Sequence, residues 1–325
     1  MGVNYGTYAT PRADLAQAWM EYVLGAAGSS EFIATEVLPV LGVPLRDGKF
    51  SAITRDKLLT AADTKRANRA GYNRVDFEGE DKSWACEEFG LEGAVDDRER
   101  IFYASDFDHE MVTTMQIIRK LKHAQEARVS ALIFNTTTWT GSDLYTDVSG
   151  SAPWDTASSA IIANVIAAKE KVRKNTGGRE ANCLIVTRSQ FENLLKNTEI
   201  KAQFPGAPLI TKAMLESALG SIFGLERLIV AGGIYNSAAE KATSTYTAAE
   251  IWSDDYAMIA RVAPQGAALN EPCIGRTFLW TGDSPSELVV ETYREEQIRG
   301  DVVRVRHDVD EVVLGAEFGH LLKID

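Results

Sequence analysis

The strongest constraint in this sequence is the segment of residues 46–82, RDGKFSAITRDKLLTAADTKRANRAGYNRVDFEGEDK. Charged residues of both signs occupy 16 of its 37 positions, so it cannot build a core of its own. Apolar and polar residues alternate weakly at residues 49–52, and Val75 and Phe77 alternate with charged neighbours. These two patterns predict two strands that share one apolar face. The polar stretch of about twenty residues between them far exceeds the usual hairpin loop of about 2–5 residues. Because a lone hairpin is marginal in water, we expect a second copy of the chain to cover this face.

Composition limits the class of protein. A chain of 325 residues with 45% hydrophobic and 25% charged residues is typical of a soluble protein with one or two domains. It has no run of about 18 apolar residues, so no membrane partner is expected. The net charge of −12 argues against a protein that wraps nucleic acid, although a container could still face it. Cys86, Cys183 and Cys273 match no metal or disulfide spacing and are expected to be buried thiols.

A long helix is predicted from Asp108 to about Phe134, with Ser105 and Asp108 as a capping pair. Its core-facing stripe has three- and four-residue spacing and comprises Met111, Met115, Ile118, Leu121 and Ala124. Before the segment of residues 46–82, the sequence predicts a short helix over residues 14–24 and an extended apolar stretch over residues 32–43.

Beyond a turn-rich connector at residues 135–155, helix and strand patterns alternate. Helices are expected over residues 156–174, 188–196 and 212–219, and strands over residues 183–186 and 228–231. A hairpin is expected around residues 253–255, and tail strands over residues 277–280, 288–292, 302–305 and 312–314 return beside the long helix. The predicted fold class is α+β, with an α/β subdomain.

No motif for catalysis, cofactor binding or metal binding is found, so no enzyme activity and no cofactor are expected. The four histidines are scattered along the chain. Asp308, Asp310 and Glu311 could hold a divalent cation, but the neighbouring Arg304 and Arg306 favour an exposed charge network.

The order of the predicted segments along the chain indicates a protein family. The apolar stretch FIATEVLPVLGVPLRDGKF precedes the charged segment, and WACEEFGLEGAVDDRER joins that segment to the long helix. NCLIVTRSQFENLLKN, RLIVAGGIYN and EIWSDDYAMIA follow, and the chain closes with EFGHLLKI. From about residue 30 onward this order resembles the major capsid proteins of tailed bacteriophages, which have the Hong Kong 97-type fold.

The resemblance implies a division of the chain. Residues 1–45 would form the N-terminal arm and first peripheral strand, residues 46–82 an extended loop, and residues 83–155 the peripheral domain with a spine helix. Residues 156–276 would form the axial domain, and residues 277–325 the return strands of the peripheral domain. It also implies self-assembly into the hexamers and pentamers of an icosahedral head that encloses double-stranded DNA without sequence-specific binding. Such a protein is located in the virion and assembles in the bacterial cytoplasm.

Two sets of interface residues follow from the resemblance. In the extended loop, apolar residues would be buried against a neighbour and charges would set the register. These residues are Phe50, Arg55, Asp56, Lys57, Arg66, Arg69, Tyr72, Val75 and Phe77. The loop at the centre of each capsomer would contain Ser237, Glu240, Lys241 and Tyr246.

Further partners would be a separate scaffolding protein, a portal and a decoration protein. A scaffold is expected because the chain has no long charged helical region at its N-terminus. Lys49, Lys57 and Lys65 are available for covalent crosslinks, but the sequence identifies no partner for them, so non-covalent assembly is expected. Two alternatives stay open: an encapsulin-type compartment with the same fold, and an α/β enzyme with an oligomerising arm and a pocket near Gly232 and Gly233.

Overall fold

The computed structural model describes residues 10–11, 31–53, 59–66, 68–69, 71–74, 79–103, 108–151, 153–204, 211–238 and 246–325. Helices α1 to α7 span Ala34–Val37, Asp97–Tyr103, His109–Ile133, Ile161–Asn175, Arg188–Lys196, Thr198–Ala202 and Lys212–Ile222. Strands β1 to β8 span Thr10–Pro11, Val40–Val43, Asp47–Ile53, Gly79–Ala85, Glu87–Asp96, Tyr145–Asp147, Cys183–Thr187 and Arg227–Ala231. Strands β9 to β15 span Ile234–Asn236, Ala248–Glu250, Tyr256–Ala260, Gly275–Trp280, Val289–Glu295, Gly300–Val313 and Gly319–Lys323. The α+β class is confirmed. The predicted helix over residues 14–24 lies outside the described residues.

The first sheet has the strand order β1-β13-β14-β12-β2, and β5 pairs with the other edge of β14. The strands predicted at residues 302–305 and 312–314 are one continuous strand, β14, so their separation was wrong. The polar residues between the two predicted strands belong to β14 because side chains of the neighbouring strands pair with them. Arg306, for example, pairs with Glu291 on β13 at 3.0 Å.

The predicted long helix is confirmed as α3, which is about 38 Å long at about 1.5 Å per residue. Its N-cap is Asp108 alone, whose side chain accepts hydrogen bonds from the backbone N–H groups of Glu110 (3.0 Å) and Met111 (3.3 Å). The predicted pairing with Ser105 assigned the cap three residues too early, and Ser105 itself is outside the described residues.

Replacing this cap tests how far the helix start contributes to stability. Asp108→Ala removes two accepted hydrogen bonds and a negative charge from the positive end of the helix dipole. We expect a loss of about 1 kcal/mol in the free energy of unfolding, measured by denaturant titration. Gln116→Ala, at an exposed position of the same helix, serves as the control and should change the midpoint little. Equal midpoints for Asp108→Ala and the native chain would contradict the cap.

The stripe predicted on α3 is correct at Ile118 and Leu121, whereas Ala124 is exposed and Met111 and Met115 are only partly buried. The buried face continues through the polar side chains of Gln125 and Glu126, which an apolar pattern cannot reveal. The first half of the helix packs on the first sheet in a cluster that contains Val95, Ile117, Ile118, Leu121, Val290, Val303 and Val305.

The second sheet has the strand order β6-β15-β11-β7-β8 and is covered on both faces. One face packs on α4, α5 and α7 through Leu184, Val186, Ile161, Val165, Phe191 and Leu215. The other packs on the second half of α3 through Cys183, Ile185, Met258, Val129 and Ile133. Helix α3 therefore braces both sheets.

One predicted connection differs in this sheet. Strand β11 pairs with β7 and β15 rather than in a hairpin around residues 253–255, and β10 pairs with β9. Strand β15 lies inside the second sheet, between β6 and β11. Its residues Leu321 and Leu322 are buried on opposite faces, as expected in a sheet that is covered on both sides.

Glu126 joins α3 to two other parts of the chain. Its carboxylate accepts hydrogen bonds from the backbone N–H of Ala34 (2.5 Å) and from the indole N–H of Trp252 (2.7 Å). The first of these bonds lies at the start of α1, a helical turn inside the stretch that was predicted to be extended. That prediction failed because the partner is 92 residues away. Among the described residues, no helix is long and apolar enough to span a membrane.

Candidate interaction surface

Strands β3 and β4 form the predicted hairpin, with Phe50 opposite Lys82 and Ile53 opposite Gly79. The described part of the second strand is Gly79–Ala85. The stretch that suggested this strand, with Val75 and Phe77, lies outside the described residues, as do Arg55, Asp56 and Lys57. The hairpin itself is therefore present.

The base of the hairpin packs on its own chain. The Trp84 ring stacks on Phe278 of β12 with the centroids 5.2 Å apart and the planes at 14°. Phe50 lies 6.1 Å from Trp84 and 6.4 Å from Phe278. This part of the apolar face is thus partly covered within the subunit. Phe50 remains half-buried, so its further burial against a neighbour stays a prediction. Phe278 is 228 positions from Phe50, so no local pattern could have shown their contact.

Close contacts hold the base in place. A Cβ atom at Gly48 would stand 2.3 Å from the Trp84 ring, so only glycine fits beneath the indole. The Ala85 backbone N–H donates to the Asp310 carboxylate at 2.8 Å, and the Arg46 Nε donates to the Cys86 carbonyl at 3.1 Å. Burial, with the charges of Asp310 and Asp308, raises the pKa of the Cys86 thiol to about 11, so this cysteine remains a protonated, packed side chain.

The tip of the hairpin, defined here as the described residues between 59 and 74, has the opposite character. Tyr72 is 78% exposed, and the Arg66 guanidinium lies 4.6 Å from the centroid of its ring. Arg69 has a positive φ of 65°, as expected in a tight turn. The tip contains the cations Lys65, Arg66, Arg69 and Arg74 and the single carboxylate Asp63. It is therefore a basic, aromatic projection on a chain whose net charge is −12.

The start of the tip approaches the end of α4. Leu59 lies beside Gly177, where a Cβ atom would stand 2.5 Å from its Cδ2. Gly177 also has a φ of 72°, so this turn favours glycine on two grounds. A cavity of about 380 Å³ separates the hairpin from the body of the subunit at this point.

The second predicted site lies at the β9–β10 hairpin. Ser237 donates from its backbone N–H to the Thr247 carbonyl at 2.9 Å, which closes the base of the loop. Tyr246 is 67% exposed, while Glu240 and Lys241 lie outside the described residues. The prediction missed Ile234 and Tyr235 on β9, which are 44% and 45% exposed. They follow the buried strand β8 after Gly232 and Gly233, and no role was predicted for them.

A further exposed apolar pair was also missed. Ile101 and Phe102 on α2 are 78% and 75% exposed. The signal available in the sequence is two large apolar residues directly after the charged run DDRER. Below them, Arg294 binds both carboxylate oxygens of Asp97 at 2.6 and 2.7 Å. This ion pair and the attached hydrogen bonds hold the pKa of Asp97 below its usual value.

Residues 304–311, considered above for a cation, form an ion-pair network. Arg306 contacts Asp283, Glu291 and Asp308, and Arg304 contacts Glu92 at 2.6 Å. Among the described residues, no group of three or more His, Cys, Asp or Glu side chains could hold a metal ion. The charges are therefore paired, but the expectation of an exposed network is wrong for Arg306, Asp308 and Glu311, whose side chains are largely buried.

Comparison with known proteins gives the fold. No protein-family model matches the chain, and no curated protein matches its sequence. A phage-related protein from Bordetella bronchiseptica RB50 superposes with a TM-score of 0.72 at 20% identity, over 97% of this chain and 98% of that one. The capsid of a GTA particle gives 0.59 at 13% identity, over 91% and 90%. The capsid of cyanophage P-SCSP1u gives 0.56 at 12%, over 88% and 86%.

Proposed function

We propose that this chain, which has the fold of phage-type capsid proteins, is a shell-forming subunit that assembles with copies of itself into hexamers and pentamers. The observation that carries this proposal is the superposition over 97% of this chain and 98% of the other. An enzyme domain with an added arm would share only its central sheet with capsid proteins.

The surface of the subunit supports this role. Apolar side chains are exposed at three separate places: Tyr72 on the tip, Tyr235 on the β9–β10 hairpin and Ile101 on α2. A subunit inside a closed shell needs several contacts of this kind, because each copy faces several neighbours. We assign the tip to the neighbouring subunit in the ring and the β9–β10 loop to the centre of the capsomer.

Further partners belong to the same proposal. A head that encloses double-stranded DNA would require a portal, and a separate scaffolding protein would set its size, with a decoration protein as a further component. The acidic chain would face the DNA without binding a particular sequence. The virion would be its location.

Electron microscopy of the purified protein, alone and with a co-expressed scaffold, tests the proposal. We expect closed particles hundreds of ångströms across, built from six- and five-membered rings. Particles that fill with DNA in infected cells support the head, and particles that hold an enzyme support a cargo compartment instead. A small discrete oligomer under all conditions would contradict the shell.

The basic tip predicts how assembly depends on salt. Arg66→Glu with Arg69→Glu replaces attraction to an acidic subunit by repulsion, so assembly should slow several-fold at low ionic strength and recover as salt screens the charges. Light scattering measures the rate. The control is Lys196→Glu with Lys201→Glu, which makes the same change in net charge at exposed positions of α5 and α6. Equal salt profiles for both pairs would remove the electrostatic role of the tip.

A further inference from the structure

Arg276 on β12 is a buried cation that makes no ion pair with any carboxylate of the described residues. Its side chain is 0% exposed, and its Nη2 donates to the Ala268 carbonyl at 3.2 Å. Its Nε and Nη1 atoms have no hydrogen-bond partner. Several partly buried arginines are paired with a carboxylate. Arg128, for example, binds both oxygens of Glu311 at 2.8 and 3.0 Å.

This arrangement is energetically unfavourable as it stands. A guanidinium group keeps its proton under all ordinary conditions, so burial cannot neutralise it. An uncompensated buried charge costs several kcal/mol, by the general size of desolvation penalties. Glu271, the carboxylate of the segment that covers Arg276, is already bound to Arg261 at 3.1 Å. The chain thus provides a built donor group whose acceptor must come from elsewhere.

The segment just before β12 faces a cavity on the hairpin side. This cavity of about 380 Å³ is lined by residues 269–273 but not by Arg276 itself. Cys273 lines the cavity, lies three residues before Arg276 and donates from its thiol to the Gly275 carbonyl at 3.4 Å, so an outward movement of this segment would connect the cavity to the guanidinium. The cavity also contains Arg179 and Asn270 as further donors, together with the carboxylate of Glu317.

We propose that Arg276 binds an oxyanion, a carboxylate or phosphate group, which enters from this cavity when residues 269–273 move outward. Planar bidentate recognition of such groups is what a guanidinium does best. The oxyanion has two possible sources: a free ion in solution, or a carboxylate side chain of a second copy that reaches the cavity in an assembly. The proposal does not depend on shell formation, because the unpaired charge belongs to the single subunit.

The test uses the full chain as dissociated subunits and as assembled particles, with phosphate or acetate added at constant ionic strength. Phosphate should raise the melting temperature of native subunits saturably, since a ligand that binds only the folded state stabilises it. It should also slow modification of Cys273 by a thiol reagent, measured by peptide mass spectrometry, with Cys183 in the second sheet as internal reference. Arg276→Met should be at least as stable as the native chain without phosphate and less stable at saturation. Arg188→Met, a matched control at an exposed arginine of α5 outside the cavity lining, should keep the Cys273 effect.

Two outcomes of this test support the oxyanion site, and one contradicts it. A response in subunits and in particles identifies a free oxyanion, and a response in subunits that disappears in particles identifies a carboxylate of a second copy. Both support the site. If phosphate and acetate change neither the melting temperature nor Cys273 modification in native subunits, the proposal is wrong. The Cys273 measurement needs no variant, so it remains decisive even if Arg276→Met fails to fold.

Discussion

A chain in which residues 54–78 are replaced by Asn-Gly should fold normally and fail to form stable shells. Ile53 and Gly79 are directly opposite each other, so a two-residue turn closes the shortened hairpin without strain. Phe50 and Trp84 keep their contacts with Phe278, so the melting temperature should change by no more than a few degrees. What disappears is the basic tip with Tyr72, and with it the proposed contact between subunits.

The measurements are the melting temperature of the subunit and the particle yield by sedimentation and electron microscopy. In a second variant the same residues are replaced by an equally long Gly/Ser segment. This variant shows whether assembly depends on the length of the loop or on its side chains. We expect it to assemble as poorly as the short variant, because a flexible loop has the reach but no side chains to bury. Normal particles from both variants would remove the tip from the assembly mechanism and leave the other exposed surfaces to account for it.

Sequence reasoning succeeded where the signal is local. Helical patterning predicted the extent of α3 and of α5, and alternation predicted the first strand of the hairpin. It failed where the partner lies far along the chain. The contact of Phe50 with Phe278 could not be identified from any local pattern.

The same distinction applies to the sheet topology. Strand β15 and strand β12 have similar apolar patterns, yet one lies in the second sheet and the other in the first. Pairing is decided by the strands available at each edge, which no stretch of sequence records. Glu126 is the extreme case, since a charged residue on a helix is normally read as solvent-exposed. Its burial follows from two donors on different elements, Ala34 and Trp252.

The buried histidines predict a fold that loses stability in acid. Burial, with the charges of Lys122 and Arg128, lowers the pKa of His307 from 6.5 to about 3. Burial likewise lowers the pKa of His320 to about 4. Both groups are held neutral in the fold, so their contribution is complete above the unfolded pKa of 6.5 and is lost as the pH falls from there toward 3.

Glu126 acts in the opposite direction. Burial raises the pKa of its carboxyl from 4.5 to about 6, so the fold favours the protonated form and gains stability as the pH falls through this interval. At about 1.4 kcal/mol per pKa unit, this shift is smaller than that of His307 alone. The two effects partly cancel near pH 5 to 6, and the histidines dominate below that range.

His307→Leu should therefore lower the midpoint of acid unfolding, by roughly half to one pH unit given the size of the shift. The substitution loses no hydrogen bond, because neither ring nitrogen of His307 has a partner, and leucine suits a site whose neighbour is the Phe89 ring at 5.9 Å. Circular dichroism during an acid titration measures the midpoint. His123→Gln is the control, since this partly exposed histidine pairs with Glu31 at the surface and should leave the midpoint unchanged. An unchanged midpoint for His307→Leu would mean that carboxylates, and not this buried ring, govern acid unfolding.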